Sequence, residues 1–397
     1  MTTGRRVWLG PAGVTALEAA SLVVGFLTQL LLMRSLGPAG YGQCVLAVAV
    51  GVGLSTLTDF GFNFSGTRQA VHWAGEPARR HRLFWAVQLT KLGVGGCALS
   101  VMALIPGSGP LLPAAAISVL GAILFPTWYL MARARLLVAA GTLLAGRVAA
   151  LGAIALWVRE PQDIGLGSVL NCAAPLVAVA LASMDPELRG VRQPCRLQAN
   201  ELGRAFRLGA STVWINAVPA LGNAMVQALI GALGSHATLG QYAAADKVRA
   251  AIQGLFGALG QALFPASVAA ADGARPRNRL PVVLLALACA AALPLALAPE
   301  FIIGVVAGSG FSEAAGALRV MSLAVISSTA VLGLGTLHLL AHSLDAAYAR
   351  AVFAGLLVQA AALAALVPAF GAAGAAGALW IADLAALAAM VPALRRR

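Results

Sequence analysis

Charge is scarce in this chain. Only 10% of its 397 residues are Asp, Glu, Lys or Arg, against roughly 25% in an ordinary soluble domain. That shortage excludes a soluble globular protein. Acids are scarcer than bases, 14 against 27, and the formal charge is +13. Lysine is nearly absent, with only Lys91 and Lys247, so the basic excess is arginine. No soluble basic segment is long enough to be a nucleic-acid domain, and no nucleic-acid partner is expected. The cysteines are few and isolated: Cys44, Cys97, Cys172, Cys195 and Cys289. They give neither a disulfide framework nor a CxxC metal site. GxxxxGK[ST], HExxH and GxSxG are all missing, as is a DxD pair. His338 and His342 are four apart on one helical face, but no third ligand accompanies them. The expectation is a non-enzyme with no metal and no cofactor.

What the chain does have is apolar length. Hydrophobic residues make up 60% of it, gathered in runs that a soluble core does not need. A membrane span takes about 20 apolar residues. On that measure the spans fall at 13–33, 41–63, 83–105, 111–131, 136–158 and 164–184. They resume at 208–232, 239–265, 280–299, 315–340, 346–368 and 372–392. The first run is too long for a signal-peptide core and no A-x-A site follows it, so it reads as a retained span. The expected fold is all-α: a polytopic membrane protein of about twelve transmembrane helices.

Arginine tests this count. With the N-terminus in the cytoplasm, twenty basic residues fall on the cytoplasmic side and three, Arg34, Arg159 and Arg319, outside. The cytoplasmic set includes Arg192 in the linker, Arg275, Arg277 and Arg279 after the eighth span, and Arg395, Arg396 and Arg397 at the end. An asymmetry that alternates loop by loop would not survive a miscounted span. Both termini are therefore expected in the cytoplasm. The longest polar stretch bisects the chain. It divides an N-terminal six-helix lobe (1–184) from a cytoplasmic linker (185–207) and a C-terminal six-helix lobe (208–397). Six plus six points to an internal repeat, frequent in transporters. Leu36–Gly42 and Ala237–Tyr242 open the second span of each half with similar Gly and Tyr patterns. No external loop exceeds about 15 residues, which leaves no room for a soluble catalytic domain.

Ionisable groups inside spans cost roughly 2.5–3.5 kcal/mol each at the centre, and they normally face a cavity or a partner. The cations are Lys91, Arg147, Lys247 and Arg249. The acids are Glu18, Asp59, Asp246 and Asp383. At about 1.5 Å of rise per residue, Glu18 and Asp59 lie near the cytoplasmic ends of their spans. On the same rise Lys91 and Lys247 lie about 12 Å in, from opposite sides, and Arg147 and Asp383 near the midplane. One reading is a cationic cavity for an anionic substrate, lined by Lys91, Arg147, Lys247 and Arg249, with the acids for coupling or pairing. The other is local ion pairing: Glu18 or Asp59 with Lys91, and Asp246 or Asp383 with Arg249 or Arg147. Asp246 and Lys247 are sequence neighbours and point to different faces of a helix.

Five strings carry a family resemblance. They are Leu36–Gly42; Asp59-Phe60-Gly61-Phe62-Asn63-Phe64-Ser65-Gly66-Thr67-Arg68; Phe125-Pro126-Thr127-Trp128; Leu239–Val248 followed by Leu263-Phe264-Pro265; and Phe370–Ala376. In this order the set resembles the Wzx-type polysaccharide flippases of the multidrug/oligosaccharidyl-lipid/polysaccharide exporter superfamily. The chain departs from that family after Trp128, where Met131, Ala132 and Ala134 stand at the usual Gln, Gly and Glu positions. The resemblance implies two six-helix lobes around a central cavity. It implies movement of a lipid-diphosphate-linked oligosaccharide across the lipid bilayer, from the inner to the outer leaflet of the bacterial cytoplasmic membrane, for lipopolysaccharide or exopolysaccharide synthesis. It also implies a polysaccharide polymerase and chain-length machinery as partners. Two alternatives stand beside it: a drug/cation antiporter of the same superfamily, and a membrane-embedded polysaccharide polymerase. A cationic cargo would favour acids over the bases seen at mid-depth, and a polymerase usually carries a sizeable external loop.

Overall fold

A computed structural model describes residues 3–191, 193, 195–271 and 280–395. Arg192, Arg275, Arg277, Arg279, Arg396 and Arg397 lie outside the described residues. Among the described residues the chain is helical and has no strand. The N-terminal helices are α1 (Thr3–Asp59), α2 (Ser65–His72), α3 (Pro77–Ala103), α4 (Leu112–Leu124), α5 (Thr127–Ala132) and α6 (Leu136–Trp157). Then come α7 (Ile164–Cys172), α8 (Ala174–Ala182), α9 (Pro186–Val191), α10 (Ala199–Ala210) and α11 (Val213–Leu233). The remainder is α12 (His236–Ala271), α13 (Leu280–Leu297), α14 (Pro299–Val306), α15 (Ser312–Val331), a π-helical stretch (Leu332–Leu339) and α16 (Asp345–Arg395).

Eight helical stretches among the described residues are long and apolar enough to cross a membrane. Two of them are double. α1 breaks at Gly37 (φ 66°, ψ 178°) and α16 at Gly371 (φ 56°, ψ −130°). At the first break a residue before proline is already pushed out of the helical region, and glycine alone takes the positive φ without strain. Pro38 then opens the next helix, where its missing N–H costs nothing. α12 carries Asp246, Lys247 and Arg249 in its first half, and α13 is bent by 81° from α14. Each of the twelve apolar stretches falls on one of these helices or on consecutive ones. The chain is a multi-pass, all-α membrane protein.

The outward surfaces agree with that reading. Leu22, Leu297 and Phe301 are more than 70% exposed, a cost that a lipid environment removes and water does not. Hydroxyls in the spans turn inward on their own helix. Thr28, Thr58, Thr90, Ser118 and Thr142 each donate to a carbonyl four residues back, at 2.7–2.9 Å. In a medium without water this satisfies the group locally.

The chain divides into two compact units, residues 1–36 with 44–225 and residues 37–43 with 226–397. The first has an aromatic core of Phe62, Phe84, Trp128 and Tyr129. Phe84 meets Tyr129 edge-on at 5.5 Å, and Trp128 meets Tyr129 at 5.7 Å. The chain leaves α1 through Phe60 and Gly61, both at positive φ, and the Gly61 carbonyl accepts a hydrogen bond from the Thr212 hydroxyl at 3.1 Å. Thr67 donates to the Trp128 carbonyl at 3.0 Å. The strings around Phe60 and Trp128 are therefore packing devices.

In the second unit α15 packs against α12, α13 and α16. The Gln241 side chain serves its start: its amide donates to the Gly310 carbonyl at 3.2 Å, and its oxygen accepts from the Ala314 N–H at 2.9 Å. Tyr41 meets Phe311 edge-on at 6.1 Å. The end of the tenth span widens into the π-helical stretch and stops at Ser343, in the left-handed region (φ 58°).

Candidate functional site

Each unit holds its own set of ionisable groups. In the first, Asp59 ends α1 and Lys91 lies midway along α3. The Lys91 ammonium sits 2.5 Å from an Asp59 carboxylate oxygen and donates to the Ala122 carbonyl at 3.3 Å. The Lys91 side chain is 1% exposed and that of Asp59 is 16% exposed. Lys91 is thus enclosed by protein and neutralised by Asp59. This is a closed, paired arrangement, stable only because both charges are satisfied together.

Arg147 stands differently. α6 runs alongside the first half of α1, with Gly141 near Leu17 and Gly25 near Arg147. The Arg147 guanidinium donates to the Ser21 carbonyl at 2.9 Å, and the residue is exposed on the unit's surface. Arg147 makes no ion pair among the described residues. One hydrogen bond fixes the side chain and leaves the rest of its planar donor fork open. Glu18, one turn before Ser21, is also exposed and has no ion pair among the described residues.

In the second unit, Arg249 pairs with Asp246 one turn earlier on α12, at 2.7 Å. Asp383 on α16 accepts hydrogen bonds from Ser327 and Ser328 on α15, at 2.7 and 2.6 Å. Both serines reach the same carboxylate oxygen. Asp383 lies within electrostatic reach of Arg249, and the buried Tyr242 lies within reach of Asp246, Arg249 and Asp383. Three helices thereby bring two acids, one base, a phenol and two hydroxyls into one polar network. Lys247 faces away from it, is half-buried and makes no ion pair among the described residues.

The residues expected from sequence therefore separate into two pairs, Asp59–Lys91 and Asp246–Arg249, with Glu18, Arg147, Lys247 and Asp383 outside any ion pair among the described residues. The members that sequence reasoning missed are Ser327, Ser328 and Tyr242. Adjacent serines in the middle of an apolar span are the available signal. They are polar groups that must find a partner in the membrane.

Comparison with known proteins places this geometry. A family model described as "Polysaccharide biosynthesis protein" matches residues 12–270. That range contains four of the five strings singled out in the sequence and omits the one at Phe370–Ala376. No curated protein matches the chain. Among solved structures, the lipid II flippase MurJ in an inward closed conformation is similar at a TM-score of 0.73 and 11% identity. That match covers 96% of this chain and 87% of the other. A MATE structure in a bent conformation is similar at a TM-score of 0.52 and 13% identity, over 98% of this chain and 95% of the other. At such identities the likeness is one of fold.

Proposed function

The chain belongs to the polysaccharide biosynthesis protein family, and from that premise we propose that it is a flippase. It moves a lipid-diphosphate-linked oligosaccharide from the inner to the outer leaflet of the bacterial cytoplasmic membrane. The product feeds surface polysaccharide synthesis, of lipopolysaccharide or exopolysaccharide type, with a polymerase and chain-length machinery downstream. The observation that carries this reading is a MurJ-like fold on a sequence of the polysaccharide biosynthesis family. One supplies the architecture for carrying a lipid-linked sugar, the other the sugar chemistry.

Transport proceeds by alternating access between two six-helix lobes, 1–184 and 208–397, joined by the linker 185–207, with both termini in the cytoplasm. Arg147 is the proposed ligand of the cargo's diphosphate. Its fork is open, and pairing a guanidinium with phosphate offsets the cost of taking the anion out of water. Lys247, in the other half, is the second intramembrane cation outside any ion pair among the described residues. Lys91 and Arg249 act through their acids, as paired elements of their helices. Asp383, cradled by Ser327 and Ser328, is the proposed coupling group, and Glu18 is the acid nearest to Arg147 on the first span. Neither an enzyme nor a drug antiporter has comparable support from the family.

The test is a deletion strain analysed for lipid intermediates. Loss of a flippase traps whole lipid-linked repeat units on the inner leaflet and removes the glycan from the surface. Single units exported to the surface would instead indicate a polymerase.

A further inference from the structure

The first unit carries a second basic feature, apart from the membrane spans. α2, α3 and α10 enclose a cleft of about 550 Å³, walled by Gln69, Trp73, Arg79, Arg82, Glu201 and Arg204. A neighbouring cavity of about 640 Å³ runs along α10 past Asn200, Gly203 and Arg207. Arg204 and Leu208 line both.

The linker is fastened to α3 beside this cleft. The Gln193 carbonyl accepts from the Trp85 indole at 2.8 Å, so the linker backbone is fastened to α3 before α10 begins. The Gln198 N–H donates to the Glu201 carboxylate at 3.0 Å, which caps α10. The same carboxylate pairs with Arg82 on α3 at 2.8 Å. Ala205 is buried at the cleft's lining, and Phe206 packs on Phe60 at 5.0 Å, which helps to set the rotation of the helix. Arg204 follows Glu201 by one turn and lines the cleft, and Arg207, a further turn along, lines the neighbouring cavity. Arg79 is held by Glu76 at 2.8 Å. Arg204 and Arg207 are exposed and make no ion pair among the described residues.

A topological bias towards arginine on one side of the membrane accounts for the number of these residues. It does not account for guanidinium groups of α3 and α10 converging on one cleft, with acids holding Arg79 and Arg82, Arg204 left over in the cleft and Arg207 left over in the cavity beside it. Unneutralised forks around a concave, partly enclosed surface focus positive potential and match phosphate oxygens two at a time. We propose that these two adjoining cavities bind the phosphate of a lipid headgroup at the membrane surface, with Arg204, which lines both, and Arg207, which lines the second, as its ligands. The proposal rests on the chain being a membrane protein and holds whatever it carries across. Two lipids offer that phosphate: the diphosphate of a polyprenyl-linked cargo awaiting transport, and an anionic phospholipid of the leaflet.

The test uses the purified full chain in phosphatidylcholine nanodiscs. A short-chain polyprenyl diphosphate and phosphatidylglycerol are titrated separately, and bound lipid is read by native mass spectrometry. Arg204→Gln/Arg207→Gln should weaken binding of at least one lipid about tenfold, the equivalent of losing one good charge-assisted contact. Arg319→Gln, which removes an exposed arginine from the other unit, should change neither. Both altered arginines are exposed and outside any ion pair among the described residues, so the melting temperature should not move, and the single variant Arg204→Gln should show a smaller loss in the same direction. An effect on the diphosphate alone identifies the cargo as the occupant, and an effect on phosphatidylglycerol alone identifies the leaflet lipid. Unchanged affinity for both lipids in the double variant overturns the proposal, while leaving the flippase assignment untouched.

Discussion

Gly42 and Gly240 meet back to back. A Cβ added to Gly42 would lie 1.8 Å from the His236 carbonyl oxygen, and one added to Gly240 would lie 1.9 Å from the Pro38 carbonyl oxygen. The relation is reciprocal. Each glycine is pressed on the carbonyl four residues before the other, as two equivalent segments related by a two-fold would be. These are the paired openings of the second and eighth spans, and small residues there allow the backbones to touch.

Replacing either glycine should therefore be costly, because the obstacle is a backbone carbonyl and not a side-chain tip that can swing away. Gly42→Ala and Gly240→Ala are each expected to destabilise by about 1–3 kcal/mol, as overpacking does. Gly152→Ala is the control: its added Cβ meets nothing within 4 Å, and in a helix interior alanine should be neutral or stabilising by up to about 1 kcal/mol. Thermal unfolding in detergent separates these outcomes. Equal melting temperatures for all three variants would remove the close approach from the account.

Lys91→Met should strand Asp59 as a largely enclosed, unpaired carboxylate, its side chain 16% exposed. Breaking such a pair costs about 3–5 kcal/mol, enough to lower the amount of folded protein in the membrane. Lys91→Met combined with Asp59→Leu should recover much of that loss, since neither charge is then left alone. A double-mutant cycle on membrane protein level measures the coupling. Additive losses would mean that the two residues act separately.

The span positions, the helical class and the pairing of Lys91 with one of two named acids are legible in the sequence, from hydropathy and from the cost of charge in lipid. Asp383 is legible as a polar group needing a partner. Nothing in the sequence points to Ser327 and Ser328 as that partner, because they lie some 55 residues away on α15 and no local period connects the two helices. The role of Gln241 is hidden for the same reason: its partners, Gly310 and Ala314, are a full span and a loop away. The strings around Phe60 and Trp128 signal kinship correctly, yet Phe60, Phe62, Phe125 and Trp128 build the core, and among the described residues Asp59 alone of these strings contributes to an ion pair. Arg204 reads from sequence only as linker charge, since convergence on a cavity needs the tertiary packing of α10 on α3.

Asp383→Asn keeps an acceptor oxygen for the two serines and removes the charge. Protein level should remain near wild type, while surface glycan should fall about tenfold or more if this intramembrane carboxylate couples transport. Full glycan output from Asp383→Asn would assign the Ser327–Ser328–Asp383 cluster to packing.

Arg147→Ala should abolish most glycan export with the protein still inserted, and Arg147→Lys should keep part of it, because a point charge retains attraction for phosphate but loses the fork. The hydrogen bond to Ser21 is a single one at the unit's surface, so its loss should cost no more than about 1 kcal/mol of stability. Surface glycan and membrane protein level are read together. Normal export by well-expressed Arg147→Ala would take Arg147 out of the mechanism.

The central claim is transbilayer movement of a lipid-linked sugar, and reconstitution measures it most directly. Proteoliposomes of the full chain are loaded with a fluorescent polyprenyl-diphosphate oligosaccharide, and the fraction open to an impermeant quencher is followed with time. The account predicts that wild-type protein raises the accessible fraction from about one half towards completeness, and that Arg147→Ala leaves it at the value of protein-free vesicles. Wild-type vesicles indistinguishable from protein-free ones, with correctly folded protein present and the chain's own repeat unit as cargo, would contradict it.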